Sequence, residues 1–291
     1  MTFQPPSMRL RFGSGSEATE QNRRIQAEGR LGLPEIPGFT EITAKYPEFG
    51  GASSMWAAGS VVQGWSHANS DLDLYVITEE RIEIGSEHEF FARHVSTADP
   101  VIHIVLGKFG PFRADIELWR AAQIDEIIGR FAGDTPGQEV SEPDKAEQDM
   151  LYRLASGRPI TGDAWWQERR NALNASSYGR WLAENRKLTA ECYLEDVAGL
   201  LLSGDPHTAL LASHEAFVAA IEAVLAVHGD YSINRKWLYR RLQAFILPEI
   251  SLEDAWAGLT MAGAVDDPRG WAERMARIAQ RLVLAVEEVA A

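Results

Sequence analysis

Between residues 54 and 119 the apolar positions fall in short alternating runs, and beyond residue 141 they recur at helical spacing. Period two marks a half-buried strand, whereas steps of three and four mark one face of a helix. Runs at 55–58, 72–78, 101–106 and 114–119 predict strands of one mixed sheet. Gly107, Gly110 and Pro111 separate the last two runs, and their turn chemistry predicts an antiparallel hairpin there. A short helix is expected at 61–65, after Gly59 and Ser60.

The segment GDTPGQEVSEPD at 133–144 is rich in Gly, Pro and acids, which predicts an exposed connection between two domains. Beyond it the punctuation is helical. Ser141 and Pro143 open a helix ending at Gly157, Asp205 and Pro206 open one ending at Gly229, and Ser251 with Asp254 reads as a capping pair. Leu210, Phe217, Ile221, Val224 and Leu225 form an apolar row that reads as core. The expected architecture is α+β: a mixed-sheet domain at 1–140, then a helical bundle at 141–291. Residues 1–50 are a poorly defined lead-in, with a polar stretch at 17–30 compatible with a helix.

Composition narrows the function. With 291 residues, 45% hydrophobic and 24% charged, the chain can bury a large core, and bulk disorder is excluded. A formal charge of -14 opposes a polyanion over most of the surface, so nucleic acid is disfavoured as main partner and a cationic small molecule is favoured. The single cysteine, Cys192, forms no internal disulfide. The apolar stretch at 216–227 is interrupted by Glu222 and too short to span a bilayer, and the first residues lack the apolar core of a secretory signal. A cytoplasmic location is expected.

The chemistry concentrates in Ala58-Gly59-Ser60, then Asp71-Leu72-Asp73-Leu74 after a gap of ten residues, then a later strand with Asp115 and Glu117. A Gly-Ser pair between strand and helix lets backbone N–H groups and a hydroxyl approach phosphate oxygens. Residues two apart on a strand share a face, so Asp71 and Asp73 project together while Leu72 and Leu74 enter the core. Side-by-side carboxylates repel unless a cation joins them, and magnesium accepts such an incomplete set of hard oxygen ligands. Asp115 and Glu117 repeat the alternation and offer a third carboxylate.

These residues resemble the signature of the nucleotidyltransferase superfamily with the polymerase-beta-like fold: Gly59-Ser60, Asp71-x-Asp73 and Asp115, with apolar residues interleaved. The stretches SGRPITGD at 156–163 and KWLYRRL at 236–242 resemble the members with a helical C-terminal domain, including aminoglycoside adenylyltransferases. The resemblance implies an ATP-using, magnesium-dependent enzyme, with one or two ions, that moves AMP to a hydroxyl of a small, cationic acceptor, as in antibiotic resistance. It implies Asp71, Asp73 and Asp115 as metal-binding and catalytic residues, with Gly59 and Ser60 seating phosphates.

Several assignments stay open at this level. Asp115 and Glu117 exchange roles if the strand register shifts by two, and Glu117 otherwise sits deeper or lines the acceptor pocket. Lys236, Tyr239 and Arg240 are candidates for nucleotide binding, with Lys236 and Arg240 four apart, or else belong to a solvated basic face. Trp65 and His67 either contact the acceptor or base, or are ordinary loop residues. The histidines show no metal spacing, and neither a Gly-x-x-x-x-Gly-Lys loop nor a Gly-x-Ser-x-Gly elbow occurs. A superfamily member that modifies protein or tRNA, or an inactive nucleotide-binding regulator, is the alternative reading.

Overall fold

A computed structural model describes residues 36–67, 69–133, 141–245 and 247–290. The helix expected at 17–30 and the middle of the connection at 134–140 lie outside the described residues.

The fold is α+β around a six-stranded mixed sheet. Helix α1 (Phe39–Lys45) and a 3-10 turn (Pro47–Gly51) lead into β1 (Ser54–Ala58), a short α2 (Gly59–Val62) and β2 (Leu72–Thr78). Then come β3 (Phe90–His94), β4 (Val101–Phe109), β5 (Phe112–Arg120) and α3 (Ala121–Gly129). Helix α4 (Lys145–Ser156) is followed by β6 (Arg158–Thr161), and the remainder is helical: α5 (Asp163–Ala175), α6 (Tyr178–Ser203), α7 (Pro206–Val227), a 3-10 turn (Arg235–Trp237), α8 (Leu238–Ala244), α9 (Leu252–Leu259) and α10 (Pro268–Ala290).

Strand order is β3-β4-β5-β2-β1-β6. The β2–β5 pair is parallel and the other pairs are antiparallel, including the β4–β5 hairpin. Two strands escape the sequence pattern. β3 is an edge strand of mostly exposed residues, so it lacks alternation, and β6 is only four residues, all half-buried, with Pro159 inside. The sheet therefore crosses the division expected at residue 140, because β6 pairs with β1 and closes its edge.

Alternation assigns the two sheet faces. Met55, Ala57, Leu72, Leu74, Ala114 and Ile116 point to one side, where Ile42, Tyr46, Phe49, Val61 and Val62 cover them. Trp56, Tyr75, Ile77 and Trp119 point to the other and share a core with α3, α4 and the bundle. Trp56 stacks on Tyr75 with ring centroids 5.2 Å apart and planes 2° from parallel. Asp73, Asp115 and Glu117 lie on this second face, so one end of the face is apolar and roofed by helices and the other is acidic.

Within the bundle, α7 is buried nearly all round. By length and composition it could cross a membrane, but most of it is buried inside the protein, which is how the central helix of a bundle reads. Its one interior charge, Glu222, is partnered by Arg235 at 3.4 Å and Arg186 at 3.8 Å.

The roofing helix α4 is fixed at its N-terminus by a charged knot. Asp144, rather than Ser141, is its N-cap, accepting from the backbone N–H groups of Ala146 and Glu147. The fully buried Glu147 accepts from the Asp144 N–H at 3.0 Å, the Ser96 N–H at 3.0 Å and Arg130 Nη1 at 2.9 Å. Arg130 also donates to the Ser96 carbonyl at 2.8 Å. The knot ties the β3–β4 loop, the residue after α3 and the start of α4 together. Truncating Glu147 leaves two N–H donors without their partner and takes from the half-buried Arg130 one of its acceptors. Glu147→Ala is expected to lose about 3–5 kcal/mol of stability in urea unfolding, and Glu147→Gln less, since its one amide oxygen keeps half of the accepted hydrogen bonds while its NH2 faces donors.

Candidate active site

The parallel register of β2 and β5 sets Asp73 directly beside Asp115, and Tyr75 beside Glu117 on the next rung of the same face. Asp71 precedes β2 and is engaged by Arg113, whose Nε and Nη2 donate to its two carboxylate oxygens at 2.8 and 3.2 Å. Arg153 on α4 donates from Nη1 to Asp73 Oδ2 at 2.8 Å and from Nε to Asp149 at 3.4 Å.

Gly59 packs directly on this ion pair. Its φ is +77°, in the left-handed region, and a Cβ there would land on Asp73 Oδ2 and Arg153 Nη1. The sequence motif thus has a steric meaning: glycine lets β1 turn into α2 while the carboxylate and guanidinium meet beneath the turn. Helix α2 covers only 59–62, shorter than the 61–65 span and starting earlier, so a helix macrodipole adds little here. Positive charge at the seat comes from Arg153 instead.

Burial raises the Asp73 carboxyl above its usual range, and Asp149 and Asp115 add to the push while Arg153 opposes it. Burial likewise raises Asp115, with Asp71 adding and Arg113 and Arg93 opposing. Glu117 is pushed up to about 7 by burial, against a hydrogen bond from Trp119 and the charge of Arg93. Those two partners fix it, with Trp119 Nε1 at 2.9 Å and Arg93 Nη1 at 3.3 Å.

A cleft of about 150 Å³ opens between sheet and bundle. Gly59, Ser60, Asp71, Asp73, Arg153 and Tyr152 line it on the sheet side, with Trp65, His67, Asn69 and Ser70 from the loop; Ser232, Asn234, Lys236 and Trp237 line it from the bundle. Of the residues singled out in the sequence, the cleft gathers Gly59, Ser60, Trp65, His67, Asp71, Asp73 and Lys236. Asp115 and Glu117 lie beside it on the sheet without lining it.

Tyr239 and Arg240 fall outside the cleft. Lys236 belongs to a 3-10 turn capped by Asn234, and α8 begins only at Leu238, so the two residues do not share one continuous helix, and of them Lys236 alone lines the cleft. Tyr239 packs on Trp256 with centroids 4.7 Å apart, and Arg240 is exposed. The sequence reading missed Arg153, Arg113 and Trp237. Arg153 follows Asp149 by four, which in sequence looks like an ordinary helix-surface pair.

Among the described residues, no three His, Cys, Asp or Glu side chains converge as a ready cage for a metal ion. The carboxylates form instead a pair in register with a third beside it, two of them engaged by arginines.

No protein-family model matches the chain, and no curated protein matches it. Among solved structures, the chain is similar to a nucleotidyltransferase-like protein from Exiguobacterium sibiricum 255-15, at 10% identity and a TM-score of 0.42, over 84% of this chain and 72% of that one. At that score the likeness carries no weight, and the chemistry of the cleft has to be judged from its own residues.

The packing on Gly59 is open to a direct test against Gly204, which has a φ of +82° but nothing within 4 Å of a Cβ. Gly204→Ala is expected to cost only the left-handed penalty, about 1–2 kcal/mol. Gly59→Ala should cost a further ~1–3 kcal/mol from overpacking, measured by chemical denaturation of both variants.

Proposed function

We propose that this chain is a magnesium-dependent nucleotidyltransferase of the polymerase-beta-like superfamily, moving AMP from ATP to a hydroxyl of a small cytoplasmic acceptor and releasing pyrophosphate. The observation that carries the reading is the in-register pairing of Asp73 with Asp115, next to the Gly59-Ser60 turn and a buried arginine.

Carboxylates packed side by side beneath a phosphate seat are costly for a triphosphate unless a cation joins them. Burial is the main cause that pushes both carboxyls up, and a cation bound there would offset that cost. The donors are hard oxygens in an incomplete set, which phosphate oxygens and water complete, so the residues suit magnesium even without a closed cage. Asp71 and Asp73 would hold the ion, with Asp115 beside them. Bound there, magnesium supplies charge neutralisation at the α-phosphate and the departing pyrophosphate.

The chain's own groups do the remainder. Gly59 and Ser60 seat phosphate oxygens through backbone N–H groups and the hydroxyl, and Arg153 and Lys236 supply positive charge at the floor and rim of the cleft. Asp115 accepts the proton of the acceptor hydroxyl. The oxygen then bonds to the α-phosphorus as its bond to the β-phosphate oxygen breaks, and pyrophosphate departs. Glu117, held by Arg93 and Trp119, orders the floor next to this base.

The charge of -14 favours a cationic acceptor of the aminoglycoside kind, as in antibiotic resistance. The test is pyrophosphate release with ATP and magnesium over a panel of hydroxyl acceptors that includes aminoglycosides. Release should depend on one acceptor class and fall about 10²–10⁴-fold in Asp115→Asn, with Asp73→Asn also inactive. Magnesium-dependent ATP binding without release from any acceptor would point to a protein or RNA target.

A further inference from the structure

Most tryptophans here belong to a core: Trp56, Trp119 and Trp271 are almost fully buried, and Trp166 nearly so. Trp65 and Trp237 do not. Both are half-buried, neither joins either hydrophobic cluster, and both line the cleft. They come from opposite walls, one from the loop after α2 and one from the 3-10 turn before α8. They touch each other with ring centroids 5.7 Å apart and planes tilted by 40°.

Two indoles outside any core, meeting across a cleft, are apolar surface kept where a ligand can use it. The backbone of Trp65 is tied to the turn that carries Ser60, because its backbone N–H donates to the Ser60 carbonyl at 2.8 Å. The cleft therefore has an anion-binding end at Ser60 and Arg153 and a flat aromatic end one turn away. A ligand with a phosphate group at one end and a planar ring at the other matches both.

Charge chooses between a neutral ring and a cationic one. Lys236 Nζ lies over the Trp237 ring, 5.2 Å from its centroid. That ammonium already takes the cation–π position and repels a second cation, so the pair does not suit a cationic acceptor. A nucleobase is neutral and stacks without such a conflict.

We propose that Trp65 and Trp237 form the nucleobase subsite, in which the base of the nucleoside triphosphate replaces one indole as the stacking partner of the other. The inference rests on the nucleotidyl-transfer reading of the same cleft and assigns one end of it. Base binding in this subsite parts the Trp65–Trp237 contact.

The experiment compares ATP with inorganic tripolyphosphate, both with magnesium, on the full chain by calorimetry and tryptophan fluorescence. ATP is expected to bind about tenfold or more tighter than tripolyphosphate and to change the emission, which tripolyphosphate leaves unchanged. Trp237→Ala should bring ATP down to the affinity of tripolyphosphate without altering the latter, and Trp237→Phe should keep most of the preference. Equal binding of the two probes to the native chain, or an ATP preference that survives both Trp65→Ala and Trp237→Ala, overturns the subsite while leaving the phosphate seat intact. Failure of both probes to bind overturns the nucleotidyl-transfer reading along with it.

Discussion

The ion pair between Asp73 and Arg153 is the constraint around which the other elements are arranged. Two strands held in parallel register bring Asp73 next to Asp115, and burial makes that proximity expensive. A single guanidinium offsets the expense, but only if α4 lies across that end of the sheet. That placement rests on the knot at its start, where Glu147 and Arg130 join α4 to the β3–β4 loop. It also rests on Met150, Leu151 and Leu154, which bury α4 in the main core. Gly59 completes the arrangement, since a larger residue would separate carboxylate from arginine.

The division of one sheet face into an apolar and an acidic end follows from the same alternation. Along β5, Asp115, Glu117 and Trp119 share a side; along β2, Asp73, Tyr75 and Ile77 do. Helices cover the Trp119 end because it is apolar, and leave the Asp73 end accessible because covering it would desolvate carboxylates with too few partners. Glu117 marks the transition. It is buried far enough to be raised to about 7, yet satisfied by an indole N–H and an arginine, so it belongs to the floor of the site.

Legibility in the sequence tracked how strongly each residue's pattern reflects its own surroundings. The runs that became β1, β2, β4 and β5 alternate because one face of each is packed, and α4, α7 and α9 announced themselves through Gly157, Asp205 and Ser251. β3 was invisible because an exposed edge imposes no pattern, and β6 because Pro159 and partial burial disguise four residues. At the site, the residues of the Gly-Ser and Asp-x-Asp motifs were legible because backbone geometry demands them at fixed spacing. Arg153 was not, because its partner lies 80 residues away and only the tertiary fold brings them together. Of Lys236 and Arg240 only the first lines the cleft, and the sequence left both open: a spacing of four implies a shared face only if the helix is continuous, and Asn234 caps a 3-10 turn instead.

Net charge and local charge differ in this protein, and the difference bears on selectivity. A chain of charge -14 repels anions at long range, but that repulsion is screened beyond a Debye length of about 8 Å at physiological salt. At contact the lining is formally balanced, with Asp71 and Asp73 against Arg153 and Lys236. Arg153 is already pre-oriented by Asp73, so little side-chain entropy remains to be lost when an anion approaches. The acidic exterior thus opposes anions at a distance, while the balanced lining of the cleft opposes them far less. The proposed reaction between a phosphate donor and a cationic acceptor asks for both signs of charge in one cleft, and the lining beside the β2–β5 carboxylates carries both.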